Sequence, residues 1–162
     1  MPAFDDAGRP DAARRILYVE DEDELRRTVA GVLVAERWEV TTASSAEEGL
    51  EALIARPHGL VITDWTLPGN TGGWLLAEAR QRGLLDDAGA IVVTGEREVG
   101  DVGSALVLRK PVDLDLLVAE AAARLEAVAY ARTARSRGKR PVSGVQAQGA
   151  EIIDLASRRR RG

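Results

Sequence analysis

Five side chains stand where short apolar runs end. Glu20 and Asp21 follow "ILYV" (16–19), Asp64 follows "LVIT" (60–63), Thr94 follows "AIVV" (90–93), and Lys110, with Pro111, comes two residues after "ALVL" (105–108). Three carboxylates brought together raise one another's pKa unless a cation sits among them. A hard divalent ion answers that problem, and Mg²⁺ suits a shallow carboxylate pocket because it keeps several waters and takes one or two protein carboxylates. With the acids neutralised, an Asp64 oxygen can attack an electrophilic phosphorus and form an acyl phosphate. Lys110 would meet the incoming phosphoryl oxygens as a point charge, and Thr94 as a hydrogen-bond donor.

That chemistry requires the four run ends to be neighbours. The runs are rich in β-branched residues and bounded by polar or turn residues, which reads as strands buried on both faces; "WEVTTA" (38–43) is a weaker fifth. Between them lie helical patterns. Residues 23–37 align Leu25, Val29, Val32 and Leu33, and residues 45–56 align Ala46, Leu50, Leu53 and Ile54 behind a capping box of Ser45 and Glu48. Further helices are expected at 73–82 and 113–130, the latter capped by Asp113. Strands alternating with helices imply right-handed crossovers and a doubly wound α/β fold, whose functional groups gather at the carboxyl ends of a parallel sheet.

The chain has 162 residues and no cysteine, so one ordinary core is expected, without disulfides or thiolate metal sites. Its start carries no basic-then-apolar leader, and no segment approaches the ~20 apolar residues of a membrane span. A cytoplasmic protein is the expectation. Residues 1–126 hold 13 Lys/Arg against 24 Asp/Glu, whereas residues 127–162 hold 9 against 2. An acidic body argues against nucleic-acid binding there and leaves it, or docking on an acidic partner, open for the basic tail as an alternative function. Residues 1–13 and 127–162 read as a disordered leader and a largely flexible tail, the latter ending in "EIIDL" and the run Arg158 to Arg161.

The series "YVEDE", "LVITDWTLP", "VVTGE" and "LRKPV", in that order over residues 14–126, resembles the receiver domain of two-component response regulators. The resemblance implies a flavodoxin-like five-stranded sheet in the order 2-1-3-4-5. It also implies Mg²⁺-dependent phosphoryl transfer to Asp64 from a histidine kinase or histidine phosphotransfer protein. On that likeness Asp21 binds metal directly, Glu20 does so directly or through water, and the Thr66 backbone carbonyl completes the ligands alongside Asp64. Thr66 and Glu96 would then tune the phosphoryl lifetime, and the Lys110–Pro111 bond would be cis.

The chain departs from the receiver pattern in three places. Glu20 stands where Asp is usual, and Val107 occupies the position of the aromatic switch residue. The fifteen residues between Thr94 and Lys110 are too few for the usual fourth helix plus fifth strand, and Gly100 and Gly103 weaken any helix there. An irregular loop or single turn is expected, as in stand-alone receivers with a reduced fourth helix. A haloacid-dehalogenase-type phosphohydrolase also uses an Asp nucleophile and Mg²⁺, but that class carries a second Asp where this chain has Thr66. The lone His58, in a turn after Pro57, is expected to be solvated and is given no phosphotransfer role. Trp38 and Trp74 read as packing residues, and Trp65 equally as a border of the site or as a large ring partly buried for packing.

Overall fold

The computed structural model describes residues 11–138, and five strands form a single parallel sheet in the order β2-β1-β3-β4-β5. The strands are β1 (Arg15–Val19), β2 (Glu39–Ala43), β3 (Leu60–Asp64), β4 (Gly89–Thr94) and β5 (Leu106–Arg109). Four helices cover it: α1 (Asp23–Ala35), α2 (Ala46–Ala55), α3 (Gly72–Gln81) and α4 (Leu114–Ser136). Pleating sends alternate residues to opposite faces. Leu17, Val19, Val61 and Val92 therefore pack with Leu50, Leu53 and Leu75, while Ile16, Ile62 and Ile91 pack with Val29, Leu33 and Leu117. Every residue of β1 and β3 is buried, which is why these strands read as unbroken apolar runs. At the sheet edge, β5 does not match that reading, since Val107 is half-buried and Arg109 exposed.

Local sequence sets the helix starts. The Thr71 hydroxyl accepts from the Trp74 amide at 3.1 Å, and the Asp113 carboxylate accepts from Asp115 and Leu116 at 2.9 and 3.2 Å. The capping box of α2 is only half as expected. Ser45 Oγ accepts from the Glu48 amide, but the Glu48 carboxylate turns to the amide and hydroxyl of Ser44, both at 3.0 Å. Residues 95–105 form no helix, only a turn at Gly103–Ser104, as the short spacing requires. They are nonetheless pinned: Arg80 donates to the Val102 carbonyl at 2.7 Å, and Arg109 donates to the carbonyls of Glu96 and Arg97.

Two boundaries differ from those expected. Residues Ala12–Arg14 form a short 3₁₀ turn with Ala12 and Ala13 buried, so the ordered chain begins before residue 14. The last helix continues to Ser136 rather than dissolving near 127; along this extension Arg135 pairs with Asp87, and Arg132 lies 3.9 Å from Asp11. Residues 1–10 of the expected leader and 139–162 of the expected tail, with Arg158 to Arg161, lie outside the described residues. Among the described residues no helix is long and apolar enough to cross a membrane.

Gly72 lets α3 start against the end of β3. A Cβ there would lie 2.1 Å from the Asp64 carbonyl oxygen and 2.9 Å from Thr63 Oγ1, and the Gly72 amide donates to Trp65 O. Gly72→Ala is expected to lower stability by about 1–3 kcal/mol, measured by urea denaturation, because the clash is with backbone.

Candidate functional site

The carboxyl ends of β1, β3, β4 and β5 converge as the parallel topology requires. Glu20 and Asp64 are buried and Asp21 is exposed, and one oxygen from each lies within 4.8 Å of the others. Lys110 Nζ is 2.7 Å from Asp64 Oδ2 and 3.4 Å from Glu20 Oε2. The Lys110–Pro111 bond is cis, and the Lys110 amide donates to the Thr94 carbonyl at 2.8 Å. The Asp64 nucleophile candidate also accepts from the Thr66 amide, at 3.3 Å to Oδ1.

The electrostatics follow from this crowding. Burial pushes the Glu20 carboxyl above the usual carboxylate range and the Asp64 charge adds to it, against a hydrogen bond from the Glu22 amide and the pull of Lys110. Burial works against the Lys110 charge, yet its hydrogen bond to Asp64 and the two acids raise its pKa on balance. Three hard oxygen donors, two of them desolvated, with a single lysine between them are a donor set that a divalent cation of the Mg²⁺ type fits.

Thr94 is fully buried, and its hydroxyl accepts from the Glu96 amide at 2.9 Å. Thr66 Oγ1 donates to Glu96 Oε1 at 3.3 Å, so the two residues expected to flank the water path touch each other. Trp65 packs beside the site against Gly73 and Gly100.

Three contributors were not read from the sequence. Arg26 donates to the carbonyls of Glu20, at 2.9 Å, and Asp21, at 3.3 Å, and pairs with Asp23, fixing the acidic turn. Arg109 ties down the loop that carries Glu96. Tyr18 lies under the site, its hydroxyl pushed far up in pKa by burial and then by Glu20 and Asp64. Arg26 had a faint signal, a cation one turn past an acidic pair, whereas Arg109 depends on the path of the β4–β5 loop.

His58 corrects the expectation of a solvated ring: it is 2 % exposed, with Nδ1 at 3.0 Å from the Arg56 carbonyl and Nε2 at 3.2 Å from Thr41 Oγ1. It lies at the amino-terminal end of the sheet and takes no part in the site. Burial, reinforced by Arg15 and Arg56, lowers its pKa despite the bond to the Arg56 carbonyl. A lowered folded pKa means that the unfolded chain binds the extra proton in acid. Its contribution to stability is complete above the ordinary imidazole value, ~6.5, and is lost as pH falls through that value toward the folded one. Urea midpoints of the wild type are expected to fall between pH 7.5 and 5.5 more steeply than those of His58→Gln.

Residues 16–122 match the response regulator receiver domain, and the chain belongs to that family. It is 28 % identical to the transcriptional regulatory protein FixJ of Azorhizobium caulinodans over 145 residues, 84 % of this chain and 68 % of that one. It is 30 % identical to the two-component response regulator ORR11 of Oryza sativa subsp. indica over 52 % of this chain and 58 % of that one. Among solved structures, the receiver domain of the hybrid histidine kinase CckA shares 34 % identity at a TM-score of 0.61, covering 68 % of this chain and 98 % of that one. A CheY-like receiver domain protein from Methanospirillum hungatei JF-1 shares 27 % at a TM-score of 0.64, covering 72 % and 96 %.

Proposed function

We propose that the chain accepts a phosphoryl group on Asp64 from the phosphohistidine of a histidine kinase or histidine phosphotransfer protein and signals through protein contacts. The observation that carries this reading is the Lys110 Nζ contact with Asp64 Oδ2 at 2.7 Å beside the Glu20–Asp21–Asp64 cluster. An Asp64 oxygen attacks phosphorus as the P–N bond breaks, and the histidine of the donor leaves with the electron pair. Asp64 keeps the phosphoryl group as an acyl phosphate until water cleaves it. Glu20, Asp21, Asp64 and the Thr66 carbonyl would hold Mg²⁺, which when bound neutralises the acids and the phosphoryl oxygens. Lys110 and Thr94 then turn from Asp64 and the Glu96 amide to the phosphoryl oxygens. The new Thr94 contact would bias residues 95–104, restrained by Arg80 and Arg109, toward a second arrangement. We place this activity in the cytoplasm, where such donors act.

The test is a scan of radiolabelled histidine kinases. Label is expected to pass from a cognate kinase to the wild type within seconds to minutes and not to Asp64→Asn. Transfer to the Asn variant, or none from any kinase tried, would remove this reading.

A further inference from the structure

A cleft of about 570 Å³ separates α1 from α4 beside the site. Tyr18 and Val93 lie beneath it, Leu25 and Val29 line it from α1, and Leu114 and Leu117 line it from α4. Glu20, Glu22 and Lys110 form its polar end, so two residues of the phosphoacceptor site belong to it as well. Next to that end stands an exposed acidic run, Asp21 to Glu24. The cleft is therefore apolar along its length and negative at one end.

The chain carries a segment of matching pattern. Ile152, Ile153 and Leu155 form a short apolar patch, followed by four consecutive arginines, Arg158 to Arg161. The connection is long enough. Leu117 to Gly138 spans roughly 32 Å at helical rise, and the fourteen residues from Gly138 to Ile152 reach up to about 46 Å when extended. Apolar-then-basic sequence thus meets apolar-then-acidic surface within one molecule, and tethering raises the local concentration of the segment well above that of any free peptide.

We propose that residues 151–161 dock back onto this cleft, with Ile152, Ile153 and Leu155 between α1 and α4 and Arg158 to Arg161 against Asp21 to Glu24. Seated there, the segment covers the side of the phosphoacceptor site formed by Glu20 and Lys110. It competes with any partner that approaches α1, and its arginines oppose cation binding at the acids. The docking does not depend on phosphorylation, so it can fail while the phosphoacceptor reading stands.

The absence of cysteine from the 162-residue chain allows a direct test in that whole chain. Thr28, exposed on α1 and lining the cleft, is replaced in the pair Thr28→Cys with Ile153→Cys. The control pair is Ile54→Cys with Ile153→Cys, Ile54 being exposed on α2 across the sheet. In a glutathione redox buffer at micromolar protein, the first pair is expected to close an intramolecular disulfide about tenfold faster than the second. Reversing Arg158 to Arg161 to Glu should bring that ratio below roughly threefold. Equal rates, a ratio unmoved by charge reversal, or a product that is only a disulfide-linked dimer would each overturn the proposal, the last by making a second copy the occupant.

Discussion

Lys110→Ala is expected to slow phosphorylation of Asp64 by about 10²-fold or more, read as the initial rate of label uptake from a small phosphodonor. Among the described residues, Lys110 is the cation in ion-pair contact with both buried acids, at 2.7 Å to Asp64 and 3.4 Å to Glu20. Arg26, the other cation at the acidic turn, is committed to the Glu20 and Asp21 carbonyls and to Asp23. Negative charge arriving on the phosphoryl oxygens would therefore meet no positioned side-chain cation in the alanine variant, which leaves its neutralisation to the metal alone. Lys110→Arg restores charge but not a compact point charge, and should recover only part of the rate. The alanine change also leaves two desolvated carboxylates without their counter-charge, so stability should fall by about 1–3 kcal/mol. A stability loss without a rate loss would reduce Lys110 to a structural role.

Asp21→Asn is the second large effect. Asp21 is exposed while Glu20 and Asp64 are buried, so its replacement disturbs the metal donor set with least risk to the core. With Mg²⁺ at about ten times its Kd, a bound ion should add roughly 1.4 kcal/mol to the wild type, a shift of several degrees in the melting temperature. In Asp21→Asn that shift should largely vanish at the same concentration, and phosphorylation should fall by about 10²-fold. Melting curves with and without Mg²⁺ check the first, and label uptake the second. An undiminished Mg²⁺ shift would place the ion elsewhere.

The grouping of the candidate site was legible because four mainly apolar strands, three of them buried at their carboxyl ends, each lead to a chemically unlike group. Glu20, Asp64, Thr94 and Lys110 follow apolar runs that have no other use for charge or hydroxyl, and a parallel sheet gathers such ends. The missing helix between β4 and β5 was legible once the receiver resemblance set the usual pattern, because fifteen residues with Gly100 and Gly103 are too few to hold it. What failed depends on contacts between distant segments. Residues 127–136 are rich in Arg and Ala, which are good helix formers, but their contacts with Asp87 and Asp11 join segments far apart in the chain. His58 is buried and meets the Arg56 carbonyl, in the turn after α2, and Thr41 Oγ1, on β2, contacts that the local turn sequence does not signal. Arg109 looks like an edge residue of β5 until the loop at Glu96 and Arg97 folds back over it. The Glu48 carboxylate is the local exception, bonding Ser44 one residue before the expected cap.

One measurement bears on the central chemistry without needing a partner. Intact-mass spectrometry of the full chain, after incubation with acetyl phosphate and Mg²⁺, should show an added mass of about 80 Da, one PO₃H group. Fragmentation should place it on Asp64, and it should be absent from Asp64→Asn. An adduct that persists in Asp64→Asn, or a wild type that never gains the mass under conditions that label other receivers, would contradict the account.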